Sequence, residues 1–375
     1  MKYVEEFRDP ARVHRLAEAI RGTATRPWTI MEVCGGQTHT IARYGIEDLL
    51  PAGIDLVHGP GCPVCVTPLD VIEAARQVAM TPGAILCSFG DMLRVPGIDG
   101  DLLQARARGA DVRVVVSPLD AVRLAVENPN RYVVFFGVGF ETTAPATAMA
   151  AELASRLGLS NFGLLASHVR VPPAMHLLLA APGCRIQAFL AAGHVCTVEG
   201  TAAYPPVAAR FGVPIVVTGF EPVDLLEGLL MAIRQLEAGR GEVEVQYARC
   251  VQPEGNPVAR AAVERVYAIA DVPWRGLGVV PGGGLRLRAA YATLDPVRRL
   301  DLALAPCPEP AACRAADVLQ GKLKPAACPA FGGECTPEHP LGAPMVSSEG
   351  ACAAHFRWRR HGPSRGTPPH PPGVA

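Results

Sequence analysis

The sequence predicts an α/β fold: two Rossmann-like units with parallel sheets flanked by helices, followed by a cysteine-rich C-terminal segment. Three observations carry that prediction. Short β-rich apolar runs alternate with amphipathic stretches in regular strand, loop and helix order, which implies parallel sheets covered by helices on both faces. A chain of 375 residues, 49% of them apolar, suggests two or three domains at roughly 100 to 200 residues each. After about Asp295 the periodicity stops, and five of the 12 cysteines fall between Cys307 and Cys352 among prolines and glycines.

The strands are expected, in chain order, at residues 29–33 (TIMEV), 84–88 (AILCS), 112–116 (VRVVV), 132–137 (YVVFFG), 163–166 (GLLA), 186–190 (IQAFL) and 214–218 (PIVVT). Each is a short apolar run, several of them rich in β-branched or aromatic side chains, bounded by polar, glycine or proline residues. Between them, residues 69–80, 119–127, 144–157, 172–179, 204–211 and 222–237 show helical spacing, as Leu69, Ile72, Ala75 and Ala79 do on one face. No sequence repeat relates the halves. We expect one α/β domain over 1–145, a second over 146–294, and a third segment over 295–358 that cannot build an apolar core alone and needs a staple of metal or an iron-sulfur cluster. Residues 359–375 are basic and proline-rich and are expected to be disordered.

Composition narrows the function. The formal net charge is zero, so no basic excess argues for nucleic acid, and no apolar run approaches the roughly 20 residues of a membrane span. The first residues, MKYVEEFRDP, carry acids where a signal peptide needs an apolar stretch, which points to the cytoplasm. Twelve cysteines in that compartment point to metal, cluster or redox work before structural disulfides.

The chemistry-bearing residues follow strands. In HGPGCPVC, His58 to Cys65, two glycines and two prolines leave the loop few shapes, so Cys62 and Cys65 should face each other at disulfide distance. The same spacing serves half of a zinc or iron-sulfur site. A helix is expected to start near Pro68, and a thiol at a helix N-terminus has its thiolate stabilised. In VCGGQTHT, Val33 to Thr40, Cys34 ends a strand, with Thr38 and His39 within reach of the crevice where open α/β sheets bind ligands. The bland reading makes Cys34 a small buried hydrophobe and His39 a helix residue. In GVGFETTAP, Gly137 to Pro145, Glu141 and Thr142 lead into a helix with Pro145 in its first turn. The glycines there are only a fragment of a dinucleotide fingerprint, whose third glycine and downstream acid are missing. Ser167, His168 and Arg170, then Gly193 and His194, then Gly219 to Asp224 stand at further strand ends. Cys87, Cys184, Cys196 and Cys250 have no partner at motif spacing and are read as structural, with some reserve for Cys196 because it follows His194 closely.

Together, CGGQTHT, HGPGCPVC, FGDMLRVPG, GFETTAP, GHVCTVEG, TGFEPVD, WRGLGVVPGGG and CTPEHPLGAPMVSSEGACAA resemble the HypD family of hydrogenase formation proteins, from about Met31 to Phe356. The resemblance implies a scaffold on which the iron of a [NiFe] hydrogenase acquires cyanide and carbonyl ligands. It implies a HypC-type chaperone that shares the iron, a HypE-type carrier that delivers cyanide as a thiocyanate, and a [4Fe-4S] cluster that relays electrons. Residue by residue, it implies that Cys34 holds the iron with His39 beside it, that Cys62 and Cys65 form a redox-active pair, and that Glu141 and Thr142 orient ligands. A thiolate is a soft ligand suited to such iron, and a dithiol supplies two electrons as it closes. For the cluster the resemblance implies Cys328, Cys335 and Cys352. Many members also carry a cysteine directly before MVSSEG, where this chain has Pro344; for the fourth ligand the resemblance implies Cys313, which precedes ADVLQGK and matches an upstream cysteine of the family, with Cys307 as fallback. A zinc ribbon is the alternative for this segment, although it lacks the two close cysteine pairs such a ribbon uses. Two further readings stay open: a non-catalytic platform that presents iron to partners, and a stand-alone thiol oxidoreductase.

Overall fold

The computed structural model describes residues 4–302, 304–305 and 307–359. Eleven strands form two sheets among these residues. β1 (Trp28–Glu32), β2 (Ile54–His58), β7 (Ala188–Ala192), β8 (Ile215–Thr218) and β9 (Val243–Val245) make an all-parallel sheet in the order β2-β1-β7-β8-β9. β3 (Ala84–Ser88), β4 (Val112–Val114), β5 (Tyr132–Gly139), β6 (Phe162–Val169), β10 (Tyr267–Trp274) and β11 (Gly278–Leu287) make the second, ordered β10-β11-β6-β5-β3-β4. Strands β3, β7 and β8 are buried along their whole length, which is why they read in the sequence as unbroken apolar runs rather than alternating ones.

The fold class is the expected one, α/β with parallel sheets flanked by helices. A sequential division at residue 145 does not describe the sheets. The chain lays down β1 and β2, leaves to build β3 to β6, returns for β7 to β9, and goes back to add β10 and β11. The reason lies in β1, whose Ile30 and Met31 are fully buried and which needs a partner on each edge. β2 covers one edge and β7 the other, with Ile30 opposite Ala188 and Glu32 opposite Leu190. The expected strand at 186–190 accordingly slides to Ala188–Ala192.

Elements without an expectation include β2, the helix Gly35–Arg43, the N-terminal helix Pro10–Thr23 capped by the Asp9 carboxylate, and the antiparallel hairpin β10–β11 that closes the second sheet against β6. The described residues of the C-terminal segment form short helices and turns, with an isolated bridge between Phe331 and Cys335, around a small core of Ala330, Cys335, Met345 and Ala353. Its last helix, Ala351–Arg359, packs on the helix Gly35–Arg43. The expected disordered tail lies, past residue 359, outside the described residues. No described helix is long and apolar enough to cross a membrane.

Candidate functional site

The carboxyl ends of β1, β2 and β7 converge with the loop that follows β5. Parallel pairing of β1 and β2 sets Glu32 opposite His58, so the two cysteine loops leave the sheet side by side. Their backbones then bond directly: Gly59 N donates to Glu32 O and Gly35 N donates to Gly61 O, both at 2.8 Å. A Cβ on Gly61 would lie inside van der Waals contact of the Cys34 backbone, so this approach requires glycine. Glu32 ties the arrangement from below. Its fully buried carboxylate accepts from Cys34 N at 2.8 Å, from His58 Nδ1 at 2.7 Å and from the Thr38 hydroxyl.

Cys34 is 2% exposed, and its Sγ stands 3.1 Å from His194 Nε2. His194 arrives because β7 runs to Ala192 and the next helix, Gly193–Glu199, starts at once. Its other nitrogen, Nδ1, lies 3.2 Å from Thr142 Oγ1. Burial lowers His194 to about 4 and pushes the Cys34 thiol well above its ordinary value. Burial therefore favours the neutral pair, and the tautomer with Nδ1–H donating to Thr142 Oγ1 is the one that leaves Nε2 to accept the thiol S–H. A cation that captures the thiolate must expel that proton, and His194 is placed to accept it.

His39 is not the histidine at the thiol. It sits more than a turn along the helix, with Nδ1 3.3 Å from Ser348 O and its ring edge-on to Trp358, and so fastens the C-terminal segment. The GH dipeptide after a strand was the available signal for His194, but its partner lies 160 residues away in the chain.

Cys62 and Cys65 are disulfide-bonded with Cα atoms 5.2 Å apart. Pro63 opens the short helix Pro63–Val66, and the Cys62 sulfur accepts from Cys65 N at 3.3 Å. Behind the crevice, Glu141 is 3% exposed; its Oε1 accepts from Val171 N at 2.9 Å, while Oε2 has no partner among the described residues. Burial raises Glu141 to about 7. The thiol of Cys196 and the hydroxyl of Tyr204 are buried in the same region. Cys87 is buried in β3, whereas Cys184 and Cys250 are exposed.

Cys313, Cys328, Cys335 and Cys352 line one cavity in the C-terminal segment, together with Pro344. Cys307 packs elsewhere, against the core that includes Leu69 and Val346. Four thiols lining one cavity are a donor set suited to an iron-sulfur cluster. Burial first, then the three neighbouring thiols, push Cys352 up, so that thiol resists ionisation unless a cationic metal group compensates it. Leu341 N donates to Cys335 Sγ at 3.4 Å, a main-chain bond of the kind that stabilises a ligating thiolate. These residues fit a [4Fe-4S] cluster. The Cys62–Cys65 turn packs on Ala343–Met345, two residues of which also line the cavity. A second link is buried: His58 Nε2 lies 2.7 Å from His355 Nε2, one turn beyond Cys352.

A family model named HypD and described as "Hydrogenase formation hypA family" matches residues 11–359. The chain is 49% identical over 369 residues to a protein of Azotobacter vinelandii named hydrogenase maturation factor HypD, covering 96% of this chain and 97% of that one. It is 47% identical over 369 residues to the protein of that name from Escherichia coli strain K12, covering 96% and 99%. It is 44% identical over 371 residues to the one from Cupriavidus necator, covering 96% and 98%.

Proposed function

This chain belongs to the HypD family of hydrogenase formation proteins, and from that premise we propose that it is a maturation scaffold on which iron acquires cyanide and carbonyl ligands for a [NiFe] hydrogenase. The observation that carries the reading is the Cys34 thiol at 3.1 Å from the buried His194 ring, on a loop bonded directly to the dithiol loop. Iron is the cargo. Cys34 binds it as thiolate, His194 takes the proton, and Thr142 keeps the imidazole in the tautomer that can do so. A HypC-type chaperone completes the iron's protein ligands.

Cyanide comes from a thiocyanate on a HypE-type carrier. One thiolate of the reduced Cys62/Cys65 pair attacks the carrier sulfur, and cyanide leaves to the iron. The second thiolate then displaces the carrier thiol and closes the disulfide, so the dithiol loses two electrons and the carrier thiocyanate gains them. Glu141, held up to about 7, keeps a proton available for a hydrogen bond to a ligand nitrogen. Cys313, Cys328, Cys335 and Cys352 would hold a [4Fe-4S] cluster, which supplies one-electron transfer beside the disulfide turn. We place this work in the cytoplasm, where Cys34 stays reduced.

The test is infrared absorption of the protein purified without oxygen together with its chaperone. Cyanide and carbonyl bands should be present and should vanish in Cys34→Ala; bands unchanged in that variant sink the reading. A second reading, a binding platform with a purely structural crosslink, is favoured by the burial of Cys62 and Cys65 at 3% and 0% exposure. The double change Cys62→Ser with Cys65→Ser separates them: the platform keeps its bands, and the redox participant loses them.

A further inference from the structure

The tip of the β10–β11 hairpin is wedged between the disulfide turn and the cysteine-rich segment. Arg275 N donates to Val66 O at 2.8 Å, one residue past Cys65. On the opposite side, Gly276 O accepts from Gln320 Nε2 at 2.7 Å, and a Cβ on Gly276 would stand 3.0 Å from Ala316 Cα. The Arg275 side chain is 2% exposed. Its Nε donates to Glu309 Oε2 at 2.9 Å; Nη2 lies 2.8 Å from the same oxygen but off hydrogen-bond alignment. Among the described residues the N–H groups of Nη1 and Nη2 therefore have no hydrogen-bond partner, although guanidinium donors are seldom buried unspent. Glu309 is 40% exposed, so solvent screens the carboxylate that pairs with this cation. Glu309 stands four residues before Cys313 and Ala316 three after it, so the Arg275 guanidinium and the hairpin tip flank the stretch that carries this cavity thiol.

We propose that Arg275 is a fixed buried cation that sets the reduction potential of the iron-sulfur site on Cys313, Cys328, Cys335 and Cys352. The inference rests on the cluster reading above. A cluster ligated by four thiolates gains one negative charge on one-electron reduction, and a permanent cation held against the stretch that carries one of its ligands stabilises that charge more in a poorly screened interior than in water. Glu309 works against it, so the pair forms two opposed levers on one potential.

The experiment is a redox titration of the full chain, purified without oxygen with its cluster and followed by electron paramagnetic resonance. Arg275→Gln should move the midpoint to more negative potential by a tenfold change in the reduced-to-oxidised ratio, about 59 mV for one electron. Arg275→Lys should stay nearer the parent, and Glu309→Gln should move the midpoint the opposite way. A merely structural pin predicts that breaking the contact from either side acts alike, so shifts of the same sign, or none, overturn the proposal. If Arg275→Gln fails to assemble a cluster, the exposed Glu309→Gln variant decides: a positive shift supports the proposal, and a negative or absent one overturns it. A parent protein without any cluster signal refutes the underlying functional reading, whereas a cluster with unmoved potentials refutes only the role of Arg275.

Discussion

Replacing Glu32 by glutamine tests the arrangement that holds Cys34 against the dithiol loop. The carboxylate accepts from Cys34 N and His58 Nδ1, at 2.8 and 2.7 Å, and from the Thr38 hydroxyl, all in a fully buried site. A glutamine has one acceptor oxygen. Turned toward Thr38 and His58, it sets its amide N–H against Cys34 N and leaves that donor orphaned, at a cost of about 1–3 kcal/mol. The remaining bonds lose their charge assistance, about 1 kcal/mol each. Together the Cys34 loop should open more easily by about 3–5 kcal/mol. Buried Cys34 can be alkylated only through such opening, so its modification rate under native conditions should rise by roughly 10² to several 10³ fold. Mass spectrometry of peptides separates Cys34 from the exposed Cys184 and Cys250, which serve as internal references. An acceleration of less than about tenfold at Cys34 would show that Glu32 does not hold the loop, and the reasoning would fail.

Three further outcomes are expected. Glu141 is raised from 4.5 to about 7 by burial, so the folded chain binds its proton more tightly than the unfolded one; stability is full below about 4.5 and falls by about 3 kcal/mol as pH climbs through 7. Urea unfolding midpoints across that range should show this slope in the parent and lose it in Glu141→Gln; parallel profiles would refute the assignment. His194→Ala removes the acceptor for the Cys34 proton, and the rate at which iron is captured should fall by about 10² fold with partial recovery at higher pH; an unchanged rate places the proton elsewhere. Cys313→Ala should lose cluster iron measured per chain, whereas Cys307→Ala should keep it, since only Cys313 lines the cavity; equal losses would contradict that division.

Much of the fold is legible in the chain because parallel strands buried on both faces are continuous apolar runs, as AILCS and YVVFFG are. The order of strands is not. Nothing in TIMEV says that its second neighbour is β7 rather than β3, and the hairpin β10–β11 is weakly marked because its burial is broken by glycines and exposed residues. The site divides in the same way. CGGQTHT and HGPGCPVC announce thiol chemistry by composition alone, and the cavity cysteines are visible as a cluster in the chain. His39 attracts attention because it shares a motif with Cys34, yet its place along a helix turns it toward Ser348 and Trp358. Arg275 stands in WRGLGVVPGGG, a stretch that carries the family resemblance but gives no sign that its guanidinium packs against the cysteine-rich segment.

By itself, then, the sequence determined an α/β fold, the residue types of the chemistry and the family resemblance, since periodicity, turn composition and motif spacing are local properties that survive without coordinates. The tertiary structure decided which of those residues meet. His194 reaches Cys34 only because β7 pairs with β1 in one register and extends to Ala192, and Arg275 reaches the cysteine segment only because a hairpin tip bonds Val66 on one side and Gln320 on the other. Contacts between residues that lie far apart in the chain depend on strand order and register, and these are settled by the packing of the whole molecule rather than by any short stretch of it.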